Sequence, residues 1–139
     1  MSARWEHFAH GADIGIRGIG TTKAEAFEQA ALAMTAVVIE PSTITARESR
    51  NVECAAPDDE LLLVEWLNAL IYLMSVQRML FGRFSVQPLD RSRLQGEAAG
   101  EKLDPARHRA VVELKGATYT MLSVKQQCGL WVAQTVVDV

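Results

Sequence analysis

Two aspartates stand where a strand would be expected to carry apolar side chains. Asp13 interrupts ADIGI, and Asp138 interrupts TVVDV beside the terminal carboxylate of Val139. Side chains alternate along a strand, so Asp13, Gly15 and Arg17 project from the face opposite Ile14 and Ile16, with Ile14, Ile16 and Ile19 as the apolar anchors. In LWVAQTVVDV, Val132, Gln134, Val136 and Asp138 share one face, while Trp131, Ala133, Thr135, Val137 and Val139 share the other. If the first and last strands are neighbours, Asp13, Asp138 and the terminal carboxylate converge as three hard oxygen donors. Such a cluster repels itself unless a cation neutralises it. All-oxygen ligation favours calcium or magnesium over zinc. Acids at exposed strand ends are also common, so the residues alone leave Asp13 either a solvated edge residue or a placed ligand.

Other reactive side chains carry less. His7, His10 and His108 read first as hydrogen-bonded structural residues, and no Ser or Cys nucleophile sits in an elbow motif that would complete a hydrolytic triad. Cys54 and Cys128 lie far apart and outside any CxxC or Cys/His spacing, so they read as small buried apolar residues. The glycines of GIRGIG, Gly15 to Gly20, match neither the dinucleotide fingerprint nor the phosphate loop, and Lys23 comes too late for the latter. They read as turn glycines leading into a helix.

The elements that must position these groups follow from periodicity. A strand precedes the helix TTKAEAFEQAALAMTAVV, whose Thr22-Lys23-Ala24-Glu25 has capping-box spacing and whose Phe27, Ala30, Ala31 and Met34 form a helical stripe. STITARESRNVECAA reads as a loop entering a strand. PDDELLLVEWLNALIYLMSV is a second helix, with acids at its positive end and an apolar surface wide enough to be largely buried, but too short an apolar run to span a bilayer. From Phe81 the period becomes two, and FGRFSVQPL, SRLQGEAAGEKL, RAVVELKGATY, YTMLSVKQQ and GLWVAQTVVDV read as strands. GEKLDPARHRA, Gly100 to Ala110, is the long polar connection. Strands in succession without crossover helices pair antiparallel, which predicts an α+β fold: one domain over 1–139, mainly antiparallel sheet with two helices packed on one face.

With 139 residues, 49% apolar and 22% charged, the chain has the balance of an ordinary globular protein. A net charge of −3 supplies no basic field for phosphates, so little or no direct nucleic-acid binding is expected. Met1 to Glu6 lack the basic run and apolar stretch of a secretory signal, which points to the cytoplasm and away from membranes.

Taken in order, WEHFAHGADIGIRGIG, EAFEQAALAM, LLVEWLNALIYL, GRF, GEKLDPARH, KGATYT and WVAQTVVDV resemble the archease family from Trp5 to Val139. The resemblance implies an accessory protein and not a stand-alone enzyme: a chaperone-like activator of RtcB-type RNA ligases in tRNA splicing and RNA repair, promoting the ligase's guanylylation by GTP and its repeated turnover. It also implies that the family's metal-binding aspartates fall on Asp13 and Asp138, with the terminal residue, Val139, contributing to the site. The family's lysine before the TY motif falls on Lys115, which could meet a phosphate or a carboxylate of the ligase; a solvated strand lysine is the competing reading. Two positions depart from the pattern, Gly11 where many members carry threonine and Thr120 where many carry histidine. The rival reading is a small divalent-metal-dependent hydrolase or nuclease, for which the sequence offers no clear general base.

Overall fold

In the computed structural model, which describes residues 3–90, 92–109 and 111–139, the elements follow in the order β1 (Arg4–His10), β2 (Asp13–Gly20), α1 (Lys23–Val38), a 3-10 turn (Pro41–Thr43), β3 (Glu48–Ala55), α2 (Asp59–Gln77), β4 (Met79–Pro88), β5 (Arg93–Lys102), β6 (Gly116–Ala117), β7 (Ser123–Gln127) and β8 (Leu130–Asp138). The fold is α+β as expected, with two helices and antiparallel strands throughout. The strands divide between two sheets. One has the order β1-β2-β8, with β7 and β6 sharing the far side of β8; the other has the order β3-β5-β4.

Both helices begin where their capping residues place them. Thr22 accepts the Glu25 N–H at 3.1 Å, and the Glu25 carboxylate reaches back to the Thr21 hydroxyl at 2.7 Å and the Thr21 N–H at 2.8 Å. Those bonds from Thr21 hold the Glu25 carboxyl below its ordinary range. Asp58 caps α2 by accepting the Leu61 N–H at 2.8 Å. Each cap satisfies a donor that the helix itself leaves free. α1 packs on β2 and β4, so it touches both sheets. α2 buries Leu62, Leu63, Trp66, Leu67 and Leu70, and the Trp66 indole N–H donates to the Phe27 carbonyl of α1 at 3.1 Å, which locks one helix to the other.

Four details differ from the sequence reading. The first segment is a hairpin and not one strand: the chain reverses at Gly11-Ala12, with Gly11 at φ +60°, a conformation glycine adopts without steric cost. The GIRGIG glycines lie inside β2 and not in a turn. A side chain at Gly18 would come within 2.1 Å of the Ala26 carbonyl oxygen of α1, and one at Gly15 would meet the Phe8 ring at 2.3 Å. Glycine there admits a helix backbone on one face and an aromatic ring on the other. RAVVELKGATY forms only the short β6, because the Val112 N–H is committed to the Val38 carbonyl at the end of α1, at 3.1 Å, and not to a strand; Ala110 lies outside the described residues. Cys54 is buried as expected, but Cys128 is exposed, since it occupies the two-residue turn between β7 and β8 with φ +52° beside Gly129 at φ +80°. Two consecutive positive φ values are the geometry that matches hairpin twist.

Candidate metal-binding edge

β2 and β8, near opposite ends of the sequence, are antiparallel neighbours, with Ile14 opposite Val137 and Ile16 opposite Thr135. Continued by one residue, that register puts Asp13 beside Asp138, at the separation of roughly 5 Å between Cα atoms usual for an antiparallel ladder. Partners across a ladder share a face, so both aspartates project opposite the buried Ile16, Thr135 and Val137. On the other side of Asp13 the pairing residue is His10; on the other side of Asp138 it is Gly116. One end of the five-stranded sheet thus reads His10, Asp13, Asp138, Gly116 across four strands.

Three arrangements hold that end in place. The Arg17 guanidinium spans the sheet four residues from Asp13, donating to the Glu6 carboxylate on β1 at 2.6 Å and to the Gln134 amide oxygen on β8 at 2.9 Å, while lying 4.7 Å from the Phe8 ring centre. The Lys115 N–H donates to the Asp138 carbonyl at 2.9 Å, which lays an exposed lysine alongside the last two residues. The Asn68 side chain of α2 accepts the Ala117 N–H at 2.9 Å and moors β6 to the helix. Asp13 and Asp138 are half-buried and Val139 is 36% exposed.

The donors at this edge are carboxylate oxygens, the type that calcium and magnesium take. Among the described residues, no three His, Cys, Asp or Glu side chains gather into a metal cluster. The edge itself carries two side-chain carboxylates, Asp13 and Asp138, with Val139 next in the chain. His10, whose sequence context reads first as structural, stands across from Asp13, a pairing that follows from the tight turn at Gly11-Ala12 and that the sequence reading does not identify.

The remaining candidates are structural. His7 Nε2 lies 2.7 Å from the Ala33 carbonyl. Lys23 binds the Asp59 carboxylate at 3.0 Å and lies 5.5 Å from the Trp131 ring centre, so its charge joins the two helix starts. In the polar connection, Glu101 is 2% exposed and accepts from Arg107 at 2.6 and 3.2 Å and from the Thr45 N–H at 2.9 Å. His108 Nδ1 accepts the Asp104 N–H at 2.8 Å, which puts the ring proton on Nε2, 3.1 Å from Glu101. The Arg107 bonds first, then the Thr45 N–H and His108, hold the Glu101 carboxyl at about 2 against the opposing effect of burial. Each of these groups is committed to its neighbours and none faces the edge. Among the described residues, no helix is long and apolar enough to cross a membrane.

The model of the Archease protein family matches residues 5–139. An archease of Pyrococcus furiosus is 39% identical over 140 residues, covering 98% of this chain and 99% of the relative. The solution structure of Methanobacterium thermoautotrophicum protein 1598 superimposes with a TM-score of 0.84 at 33% identity, covering 97% of this chain and 98% of that one. The crystal structure of a Thermotoga maritima archease, described there as a possible chaperone, superimposes with a TM-score of 0.61 at 18% identity over 96% of each chain, a likeness of fold.

Proposed function

This chain belongs to the archease family, and on that premise we propose that it is a cytoplasmic accessory protein of an RtcB-type RNA ligase, promoting the ligase's guanylylation and repeated turnover in tRNA splicing and RNA repair without itself doing covalent chemistry. Asp13, Asp138 and the Val139 carboxylate hold a divalent cation, calcium or magnesium, at the end of the five-stranded sheet. The observation that supports the reading is the pairing of β2 with β8, whose register ends at Ile14 opposite Val137, so that Asp13 and Asp138 are the next residues at the same end of the sheet.

A divalent cation at a nucleotide site neutralises phosphate charge and orients a phosphoryl group. This chain's share of the work is to present three anionic oxygens on a braced edge. Arg17 keeps β1, β2 and β8 in register, and the Lys115 N–H fixes the approach to Asp138. The exposed Lys115 side chain meets a phosphate or a carboxylate of the ligase once the edge is docked. GTP is consumed by the ligase.

The test has two readouts. Calcium or magnesium should raise the melting temperature of the wild-type protein, since a ligand that binds only the native state stabilises it. Asp13→Asn and Asp138→Asn should remove that rise, and should also remove stimulation of ligase guanylylation and multiple-turnover joining. Full stimulation by Asp13→Asn would defeat the metal assignment. Turnover of nucleotide or RNA by the protein alone would favour the hydrolase reading.

A further inference from the structure

The five-stranded sheet has two unlike faces. α1 packs on the one that carries Ile16 and Gly18. Alternation assigns Asp13, Arg17 and Ile19 of β2, with Val132, Gln134 and Asp138 of β8, to the other. That second face is open, and at the end away from Asp13 it holds a trough of about 490 Å3 whose lining includes Arg4, Arg17, Ile19, Lys125, Val132 and Gln134.

Charge on the open face is sorted by sign along the strands. The trough end carries the cations Arg4, Arg17 and Lys125 against one acid, Glu6, while the far end carries Asp13 and Asp138. Arg17 is committed to Glu6 at 2.6 Å, and Arg4 reaches only that same carboxylate, at 4.0 Å. Among the described residues, Lys125, Asp13 and Asp138 make no ion pair.

These leftover charges are self-complementary. Ile16 pairs with Thr135. Asp13 and Asp138 lie three residues to one side of that pair, and Ile19 and Val132 lie three residues to the other. A two-fold axis running across the strands at the level of Ile16 and Thr135 turns the open faces of two copies onto each other, strands antiparallel. It sets Asp13 of one copy over Ile19 of the other, and Asp138 over Val132. Arg4 is the ladder partner of Ile19, and Lys125 is the ladder partner of Val132. Each aspartate therefore arrives beside a cation of the other copy, Asp13 beside Arg4 and Asp138 beside Lys125, in both halves at once. Facing sheets lie about 10 Å apart with their strands within about 30°. Three residues from the axis, roughly 10 Å, that angle moves a residue sideways by about 5 Å, a displacement arginine and lysine side chains span. At the centre, the Arg17–Glu6 pair of one copy meets the uncharged level of Phe8, Gly15 and Val136 of the other.

We propose that the open face of the five-stranded sheet is the interface of a homodimer, in which the basic trough of each copy takes up the two aspartates of the other. Such an interface is isologous, the commonest symmetry of soluble oligomers. Each copy contributes a patch of roughly 20 by 20 Å, at the small end of specific interfaces. The dimer is accordingly weak, and salt screens the charges that align it. Because it occupies both aspartates, it excludes a divalent cation from the edge, a consequence that rests on the function proposed above: the monomer is the form that loads metal and meets the ligase.

Sedimentation equilibrium of the full chain tests this. In low salt the wild type should show a concentration-dependent monomer–dimer equilibrium, and about 0.5 M sodium chloride should raise its Kd at least about tenfold. Lys125→Glu sets two acids together twice in each dimer and should raise Kd about a hundredfold, and Arg4→Glu, on another strand, should do the same. Lys125→Glu combined with Asp138→Lys restores opposite signs and should return Kd to within about threefold of wild type. Saturating calcium should convert the wild-type dimer to monomer. A wild type that stays monomeric in low salt would overturn the interface. So would a dimer indifferent to both single reversals, or a loss that the paired reversal fails to recover. A dimer that responds to the reversals but not to calcium would leave the interface standing and overturn the metal assignment.

Discussion

Replacing Glu101 by glutamine tests whether the polar segment after β5 is scaffold or site. The carboxylate takes donors from Arg107, the Thr45 N–H and His108 Nε2, and an amide in its place offers one oxygen and turns an NH2 toward the rest. Thr45, His108 and one Arg107 nitrogen all bond the same carboxylate oxygen, so an amide oxygen placed there keeps them, and the loss is the negative charge those bonds were made to, at about 1–3 kcal/mol. The NH2 takes the place of the other oxygen, facing Arg107 and Arg47, whose side chains are 47% and 66% exposed and turn to solvent at little cost. About 2 kcal/mol in total lowers Tm by roughly 4–8 °C in a chain of this size. The sign with pH follows from the depressed carboxyl, at about 2 against an ordinary 4.5. The native state keeps its charge where the unfolded chain has taken up a proton, so the stabilisation is complete above pH 4.5 and fades as pH falls toward 2. Urea unfolding at pH 7, 4 and 2.5 should show the wild-type advantage over Glu101→Gln shrinking at each step. An advantage that stays constant over that range, or none at pH 7, would refute the reasoning.

Gly18→Ala should destabilise by at least about 3 kcal/mol in chemical denaturation, because its methyl group would lie 2.1 Å from the Ala26 carbonyl oxygen and neither backbone can give way without separating α1 from β2. Gly129→Ala, with nothing within 4 Å but φ +80°, should lose only about 1 kcal/mol. In the native protein at pH 8 one thiol should react with a disulfide reagent. Cys128 is exposed, whereas burial, with the Glu65 carboxylate nearby, pushes the Cys54 thiol up to about 11, leaving roughly one part in a thousand as thiolate. Two thiols reacting at equal rates without denaturant would contradict the packing around Cys54.

The helices were legible because their start signals are local: Thr22 with Glu25, and Asp58 before an apolar run, act within four residues. The faces of Asp13 and Asp138 were legible for the same reason, since alternation needs only a strand. Their adjacency was not, because it depends on pairing across more than a hundred residues. The first hairpin was hidden by a turn with a single glycine, and the inner glycines of β2 passed for turn residues because the helix that demands them lies outside the strand. Ile19 shows the limit of alternation: it shares a face with Arg17 yet is 4% exposed. The role of Glu101 was out of reach, since one of its donors comes from Thr45, 56 residues earlier. Cys128 was misjudged by applying the average burial of cysteine to a turn.

The placement of β8 bears on the order of folding. The three-stranded sheet and α2 are drawn from one stretch, residues 48–102, and can assemble as soon as that stretch is made. The five-stranded sheet cannot, because its central strand follows every other element in the chain. Until β8 arrives, the β1–β2 hairpin has an open edge and α1 lacks part of its floor, so closure of this sheet must await long-range contacts that are intrinsically slow to form. Formation of the carboxylate edge is then the same event as completion of the fold, and a nascent chain short of β8 would have neither.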